Sequence, residues 1–278
     1  MTRVALWLAL TLFWLPTLSE AHPPQRVVSL TPHATELLVA AGGRERLVGA
    51  VPSEQALPPG VTRLSPLGGI DREKILALRP DLVVAWTSGN RASDIAWLRS
   101  QNIPVYLSEP RDLRAVAADI RAIGRLLGTA QVADAVARKF LEKSRSDCMD
   151  LPQQEVLVNI WDHPAMSVGG RHWLNDALSR VRLRNTFEDI DLPVFSVDRE
   201  SLLRRSDLPV LRLRDGGPLG SRYLGRPGPL LADGIRVLCE QRMQSLKQKW
   251  RPADATSRSR DPHFFPRSRS PWGNAARD

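Results

Sequence analysis

The motifs of several enzyme classes are missing from this sequence. It contains no Gly-x-Ser-x-Gly nucleophile elbow, no His-Glu-x-x-His helix motif and no Gly-rich phosphate loop, which mark hydrolases, zinc proteases and nucleotide-binding enzymes respectively. The polar residues that come nearest to a catalytic set along the chain are His163, His172, Asp162, Asp176 and Ser167. Because they match none of these motifs, we predict that the protein is not an enzyme and uses no cofactor.

Cysteine is scarce, since Cys148 and Cys239 are the only two. Neither follows the apolar N-terminal run directly, so a lipid anchor on cysteine is not predicted. In an oxidising compartment the two thiols could form a disulfide. The sequence alone does not place them within bonding distance, and their pairing stays open.

The first 21 residues have the pattern of a secretory signal peptide. A basic Arg3 precedes the apolar run "ALWLALTLFWLPTL", and Ser19 and Ala21 occupy the small-residue positions of a cleavage site. We predict cleavage after Ala21 and a periplasmic mature protein. A retained membrane anchor is the alternative, although the run is short for a bilayer span and Pro16 interrupts it.

The formal net charge of +9 is concentrated at the end of the chain. Residues 247–278 hold eight Lys and Arg against three Asp. This segment has no hydrophobic period and is rich in Arg, Ser and Pro, so we predict a disordered basic tail. An Arg-Ser tail can bind RNA, but behind a secretory signal we predict no nucleic-acid partner.

From residue 22 onward, short apolar strands alternate with helices. "RVVSL" and "RLVGAV" predict strands. Between them Thr31 and Pro32 suit the start of a helix, which Gly42-Gly43 can end. His33 lies at the mouth of this strand-helix turn, beside Pro32, and we predict that both residues contact a ligand. An ordinary surface histidine is the alternative.

The stretch "DREKILALRPDLVVAW" predicts a helix, a proline stop and a buried strand. Ile75, Leu76 and Leu78 are expected to face inward, and Pro80 to end the helix. The continuous apolar run 82–86 is typical of a parallel strand covered on both faces. "ASDIAWLRSQNIPVYLS" repeats the helix and strand.

These units predict an α/β fold of two Rossmann-like lobes with parallel sheets. The first lobe comprises residues 22–111. Residues 112–150 keep helical spacing without a strand signal, so they form a helical connector. "EVLVNIW", "RHWLNDALSRV", "DRESLL" and "GPLLADGIRVLCEQRM" predict a second, shortened lobe at 151–246.

The strings "DREKIL" and "DRESLL" each open a helix, one in each lobe. Asp71 and Asp198 are placed to cap these helices, and Glu73 and Glu200 lie in the first turn, where a carboxylate interacts favourably with the helix dipole. Capping explains both strings completely. The recurrence also suggests pseudo-symmetric lobes whose two glutamates face one two-fold symmetric partner.

The strings "RVVSLTPHATELLVAAGG", "VGAV", "DREKILALRPDLVVAWTSGN" and "VGGRHWLNDAL" resemble the periplasmic cobalamin-binding proteins of ABC importers, the BtuF-like branch of the helical-backbone substrate-binding proteins. The resemblance covers about residues 26–200 and resumes at "RPGPLLADGIRVLCE". It implies a monomer with one long rigid backbone helix between the lobes and a corrinoid ligand, the transported cobalamin, in the cleft. It also implies that Glu73 and Glu200 dock on the dimeric ABC permease of the inner membrane.

The resemblance assigns the ligand site to aromatic side chains, because a large flat ligand gains most from rigid aromatic faces. Trp86, at the end of its strand, matches one of them. Trp161 and Asp162 lie in the loop that supplies another from the second lobe. Arg226 matches an arginine near the ligand. Without the family, Trp86 is equally well explained as a core residue.

The sequence also departs from the family. Val194 stands where a tryptophan is usual, and Arg222 where an acidic residue is expected. Cys239 matches half of a family disulfide whose other half falls near Val181. The region 203–225 is short, and the strand and helix expected after "SDLPVL" are missing. A degenerate lobe that holds no ligand is therefore one alternative.

Other ligands of the same scaffold are the remaining alternatives. A siderophore would favour basic residues such as Arg171 and Arg226. A metal ion would need several converging ligands, for which His33, His163 and His172 are a weak set. Haem is carried by the same scaffold.

Overall fold

The computed structural model describes residues 22–66, 68–213 and 223–249, without side chains at 247–249. The predicted signal peptide, Arg222 and the predicted tail beyond residue 249 lie outside the described residues. Within those residues, no helix is long and apolar enough to cross a bilayer.

The first lobe is built on one parallel sheet of five strands in the order β3-β2-β1-β4-β5. Its elements in chain order are β1 (Val27–Ser29), α1 (Pro32–Ala40), β2 (Leu47–Ala50), β3 (Thr62–Arg63), α2 (Arg72–Leu78), β4 (Leu82–Trp86), α3 (Ala92–Ser100) and β5 (Val105–Ser108). The central strands β1 and β4 are buried along almost their whole length, as their continuous apolar sequence predicts.

Local signals set the ends of α2. The Asp71 carboxylate accepts a hydrogen bond of 3.0 Å from the backbone N–H of Lys74, which caps the helix start. The helix ends at Arg79, whose φ of 44° takes the chain out of the helix before Pro80. Ile75 faces the core as predicted, but the prediction for Leu76 is wrong: this side chain is 45% exposed.

The connector consists of two helices, α4 (Leu113–Leu126) and α5 (Ala130–Lys143). The chain turns between them at Gly128, whose φ is 67°, so they form a helical hairpin in place of the single long helix that the resemblance implied. α4 packs on α1 of the first lobe, and α5 packs on the last helix of the second lobe. One continuous apolar core therefore runs from the first lobe through the connector into the second.

The second lobe contains two three-stranded sheets, in the orders β11-β6-β9 and β10-β8-β7. Its elements are β6 (Gln154–Asn159), β7 (Trp161–Asp162), β8 (Ala165–Val168), α6 (Leu174–Ser179), β9 (Leu183–Asn185), β10 (Val194–Ser196), α7 (Arg199–Leu203), β11 (Val210–Arg212) and α8 (Leu231–Lys249). The first sheet is parallel as predicted. The second is antiparallel and was not predicted.

The two lobes share a strand-helix-strand pattern around the repeated strings. In the first lobe α2 leads to β4, which pairs in parallel with the first strand β1. In the second lobe α7 leads to β11, which pairs in parallel with the first strand β6. This correspondence supports the pseudo-symmetry predicted from the repeat. β11 is formed by the end of "SDLPVL" itself and by Arg212. Residues 214–222, which follow, lie outside the described residues, so the absence of a further strand and helix there stays a prediction.

Cys148 and Cys239 form a disulfide with their Cα atoms 5.7 Å apart. It ties the segment after the connector to the middle of α8. Val181, the position near which the family pattern has its other cysteine, is instead a buried residue of the same apolar core. The pairing that the sequence left open is thus decided by the fold.

Candidate functional site

The carboxyl ends of β1 and β4 lie side by side, because these strands are parallel neighbours. Pro32 and His33 start α1 directly after β1, and Trp86 is the last residue of β4. The rings of His33 and Trp86 meet edge to face, with centroids 4.9 Å apart. Three predicted ligand-binding residues therefore meet at the sheet edge where parallel α/β folds bind ligands.

His33 is buried, with 1% of its surface exposed, so the alternative of a surface histidine is wrong. Its Nδ1 lies 3.2 Å from the Thr31 hydroxyl, and its Nε2 has no hydrogen-bond partner among the described residues. Burial, and secondarily the positive charge of Arg226, lowers the pKa of His33 to about 3. The imidazole is therefore neutral at physiological pH.

Trp86 is held in place on two sides but is only half-buried. Its backbone N–H donates a 2.8 Å hydrogen bond to the Asn90 side chain. A Cβ added at Gly89 would collide with the indole ring, so the backbone at Gly89 packs directly against the ring. The tryptophan is thus a positioned aromatic side chain at the lobe edge, and not a plain core residue.

Arg226 reaches across from the second lobe to two carboxylates of the first. Its guanidinium lies 2.7 Å from Glu54 and 3.5 Å from Glu36. Gly228 allows the approach, because a Cβ there would strike the Glu36 carboxylate. The acidic partner expected near residue 222 is therefore replaced by glutamates from the opposite lobe, and Arg226 joins the two lobes.

Sequence reasoning missed Glu36 and Glu54. Glu36 did carry a signal, since it is the lone carboxylate of the helix "HATELLVA", and such groups are rarely buried unpaired. Glu54 carried none, because it lies in a polar loop. Its contact with Arg226 depends on residues 172 positions apart.

The buried Glu36 has an unusual protonation equilibrium. Desolvation raises the pKa of its carboxyl from 4.5 to about 7, because Arg226 only partly offsets the burial and Glu54 adds to the rise. Near neutral pH the ion pair with Arg226 is therefore only partly formed, and Glu54 is the stronger partner.

The second lobe supplies a separate group of polar and aromatic residues. Trp161 and Asp162 form β7, and Trp161 is exposed, with its indole N–H donating to the carbonyl of His163 at 2.8 Å. Asp162 lies 3.2 Å from Arg212, at the end of β11, and accepts a hydrogen bond from Asn159, at the end of β6. This group also lies at the carboxyl ends of parallel strands, as in the first lobe.

The two glutamates of the repeat are exposed in the first turns of α2 and α7. Both predicted caps form, since Asp198 accepts from the Ser201 N–H at 2.8 Å just as Asp71 does from Lys74. Glu200 makes an ion pair of 2.5 Å with Arg204 on the next turn. For Glu73 the described residues contain no ion pair. The charges around the two glutamates thus differ.

Residues 27–206 match the sequence profile of the family described as periplasmic binding protein. The chain belongs to this family. Trp86 and His33 lie within the matched residues, and Arg226 lies beyond them.

Proteins similar to this periplasmic binding protein in sequence and in structure support the resemblance described above. The vitamin B12-binding protein of Vibrio vulnificus strain YJ016 is 27% identical over 258 residues, covering 83% of this chain and 94% of its own. The crystal structure of the periplasmic vitamin B12 binding protein BtuF of Vibrio cholerae has a TM-score of 0.70 at 25% identity, with 82% and 99% coverage. The resemblance to the BtuF-like branch is thus confirmed.

The fold is also shared with binding proteins for other ligands. The periplasmic haem-binding protein RhuT of Roseiflexus sp. RS-1, in its apo form, has a TM-score of 0.65 at 20% identity, and the match covers 78% of this chain and 97% of that one. At this identity the likeness shows the fold alone. The relatives that match are binding proteins, which agrees with the coarse prediction of a binding function.

The stability of this periplasmic binding protein should depend on pH through Glu36 and its neighbours His33, Arg226 and Glu54. Because the pKa of Glu36 is raised from 4.5 to about 7, the folded protein holds its proton more tightly, and ~3 kcal/mol of stability is lost as pH rises through this window. The pKa of His33 is lowered from 6.5 to about 3, so its contribution rises with pH between these values. We expect the opposing slopes to cancel partly between pH 4.5 and 6.5.

Glu36→Gln separates the two contributions, because glutamine does not titrate. Chemical denaturation across this pH range should show the free energy of unfolding rising more steeply with pH in the variant than in the wild type. The difference in slope should approach one proton, or about 1.4 kcal/mol per pH unit. Identical slopes in the two proteins would show that Glu36 ionises normally.

Proposed function

We propose that this protein captures cobalamin in the periplasm and delivers it to an ABC permease dimer of the inner membrane. The observation that carries the proposal is the half-buried Trp86, held against His33 at the lobe edge. The indole, supported by the edge of the buried, neutral His33 imidazole, offers a flat surface without charge to a flat corrin ring fringed with neutral amides. The exposed Trp161 supplies a second aromatic face from the other lobe.

The charges around this site also favour a ligand of low net charge. Asp162 is paired with Arg212, and Arg226 with Glu54. The basic residues that would attract an anionic siderophore are therefore already neutralised: Arg226 by Glu54, and Arg171 by Asp191 at 3.3 Å. Haem is the second candidate, because the neutral, unpartnered Nε2 of His33 has the chemistry of an axial ligand. His33 is buried, so an iron could reach this atom only after the residues that cover it had moved.

The proposal extends to the organisation of the chain. Residues 1–21 are removed after Ala21 during export, residues 22–111 and 151–246 form the lobes, residues 112–150 connect them, and residues 247–278 have no role in binding. The mature protein is a monomer and not an enzyme. Glu73 and Glu200 contact the two halves of the permease, one from each lobe.

Ligand titration tests the proposal. Tryptophan fluorescence of the purified protein should be quenched saturably by aquocobalamin, and far more weakly by haemin or a ferric siderophore. Trp86→Leu and Trp161→Leu should each weaken aquocobalamin binding about tenfold, since each removes an aromatic face that the ligand covers.

Trp97→Leu is the matched control. This half-buried tryptophan lies on α3, with the Arg72 guanidinium 5.1 Å from its ring centroid, and its loss should leave the ligand affinity unchanged. Melting temperatures of the three variants show whether the fold is intact. Tighter binding of haemin or a siderophore than of aquocobalamin would contradict the proposed ligand.

A further inference from the structure

The helices that carry Glu73 and Glu200 each expose a leucine to solvent. Leu76 on α2 is 45% exposed and Leu203 on α7 is 55% exposed. Both are the fifth residue after the capping aspartate of their helix. The residue before each leucine faces inward, since Ile75 is buried and Leu202 packs on the apolar cluster around Phe187.

The fold does not account for this recurrence. Single exposed apolar side chains are common on protein surfaces and need no explanation. Leu126 and Val132 on the connector are of this kind, because neither belongs to the repeat. The two leucines of the repeat are exposed at equivalent positions of two lobes whose sequences otherwise differ widely.

Each leucine shares a helix face with the glutamate of its own lobe. Residues three positions apart on a helix are neighbours at its surface, so Glu73 lies beside Leu76 and Glu200 beside Leu203. Each lobe therefore presents a carboxylate next to an apolar side chain. We call these pairs the α2 footprint and the α7 footprint.

The apolar half is the part that the two footprints share most closely. Glu200 is partly neutralised by Arg204, whereas Ala77 stands at the corresponding position beside Glu73. The electrostatic attraction of a basic partner is therefore weaker at the α7 footprint. A partner with two identical halves would therefore contact a leucine at each of the two footprints.

We propose that Leu76 and Leu203 are paired apolar anchors, each inserting into an apolar recess beside the basic patch on one half of the permease dimer. The inference rests on the proposed function, because it takes the permease as the occupant. Two matching footprints fit a two-fold symmetric partner, and their glutamates fit a basic one. Burial of the leucines supplies a part of the affinity that salt does not screen.

Association of the ligand-loaded protein with the permease in lipid nanodiscs tests the anchors. Leu76→Ala and Leu203→Ala should each weaken association about tenfold at low and at high salt alike. The double variant should be weaker still, with unchanged aquocobalamin affinity and melting temperature. Alanine is a strong helix former, so both helices should persist.

Leu126→Ala is the matched control, because Leu126 is 43% exposed and lies on the connector. It should associate like the wild type. Wild-type association by the double leucine variant would overturn the inference while leaving the proposed function intact. If the wild-type protein is a dimer and the double leucine variant is a monomer, the leucines contact a second copy of the chain. That result would overturn the inference too.

A failure of the proposed ligand gives a different result. If the protein binds haemin in place of aquocobalamin but docks through the leucines, the inference about the leucines holds and the proposed ligand is wrong. If the wild-type protein does not associate with the permease in any loaded state, both the partner and the anchors are wrong.

Discussion

Replacement of both Glu73 and Glu200 by glutamine should abolish uptake of cobalamin into vesicles that contain the permease. The isolated double variant should bind aquocobalamin as tightly as the wild type, since both side chains are exposed in the first turns of α2 and α7. Loss of a first-turn carboxylate costs only a few tenths of a kcal/mol in stability. Loss of uptake with normal ligand binding therefore identifies docking as the role of the pair.

Three further variants sharpen this test. Glu45→Gln is the matched control, because Glu45 is exposed just before β2, at the opposite edge of the first sheet. Arg204→Ala frees Glu200 from its ion pair and should strengthen docking at low salt. Glu200→Gln alone leaves the positive charge of Arg204 facing the basic patch, which adds repulsion. Normal uptake by the double glutamine variant would show that both glutamates only stabilise the starts of their helices.

Removal of the disulfide should destabilise the protein strongly. Cys148 and Cys239 are separated by 91 positions, and closing a loop of that size restricts the unfolded chain by an amount worth about 4.6 kcal/mol. The bond also anchors α8, which carries part of the continuous core. We expect the Cys148→Ser/Cys239→Ser variant to unfold at much lower urea concentration than the wild type.

Reduction of the wild-type protein with dithiothreitol provides the comparison, because it breaks the bond without changing the side-chain volume. Reduced wild type and the double serine variant should unfold at similar urea concentrations. Loss of less than about 1 kcal/mol in both would show that the core holds α8 without the bond. Ligand affinity at low urea should change little, since neither cysteine lies at the lobe edge.

The first lobe could be predicted in detail because its signals are local. The apolar run 82–86, the cap at Asp71 and the stop at Pro80 each act within a few residues. The end of α1 at the glycine pair is of the same kind, since Gly42 adopts a φ of 86° that other residues rarely accept. Such signals need no knowledge of the rest of the chain.

The inward prediction for Leu76 was wrong for a reason that concerns helix length. α2 has seven residues, so only about two turns define its buried face, and a shift of one position changes which leucine is covered. The sequence also did not determine the path of the chain through the connector. Gly128 interrupts the helical spacing of the sequence, but only the packing of α4 on α5 shows that the chain turns back there.

In the candidate site, too, some residues could be predicted from the sequence and others could not. Trp86, Trp161 and the two repeated glutamates could be selected from the sequence together with the family resemblance. The burial of His33 and the contacts of Arg226 with Glu36 and Glu54 could not. These contacts join residues far apart in the chain, and no local pattern encodes which distant carboxylate will meet a given arginine.

The sequence by itself therefore determined the alternation of strands and helices, the two-lobe plan and the repeated capped helices, because capping, proline stops and apolar runs act over a few residues. The tertiary structure alone decided the pairing of the two cysteines, the protonation of His33 and Glu36, and the exposure of Leu76 and Leu203. Each of these depends on distance, burial or charge contributed by segments that are remote in the chain, and only folding brings them together.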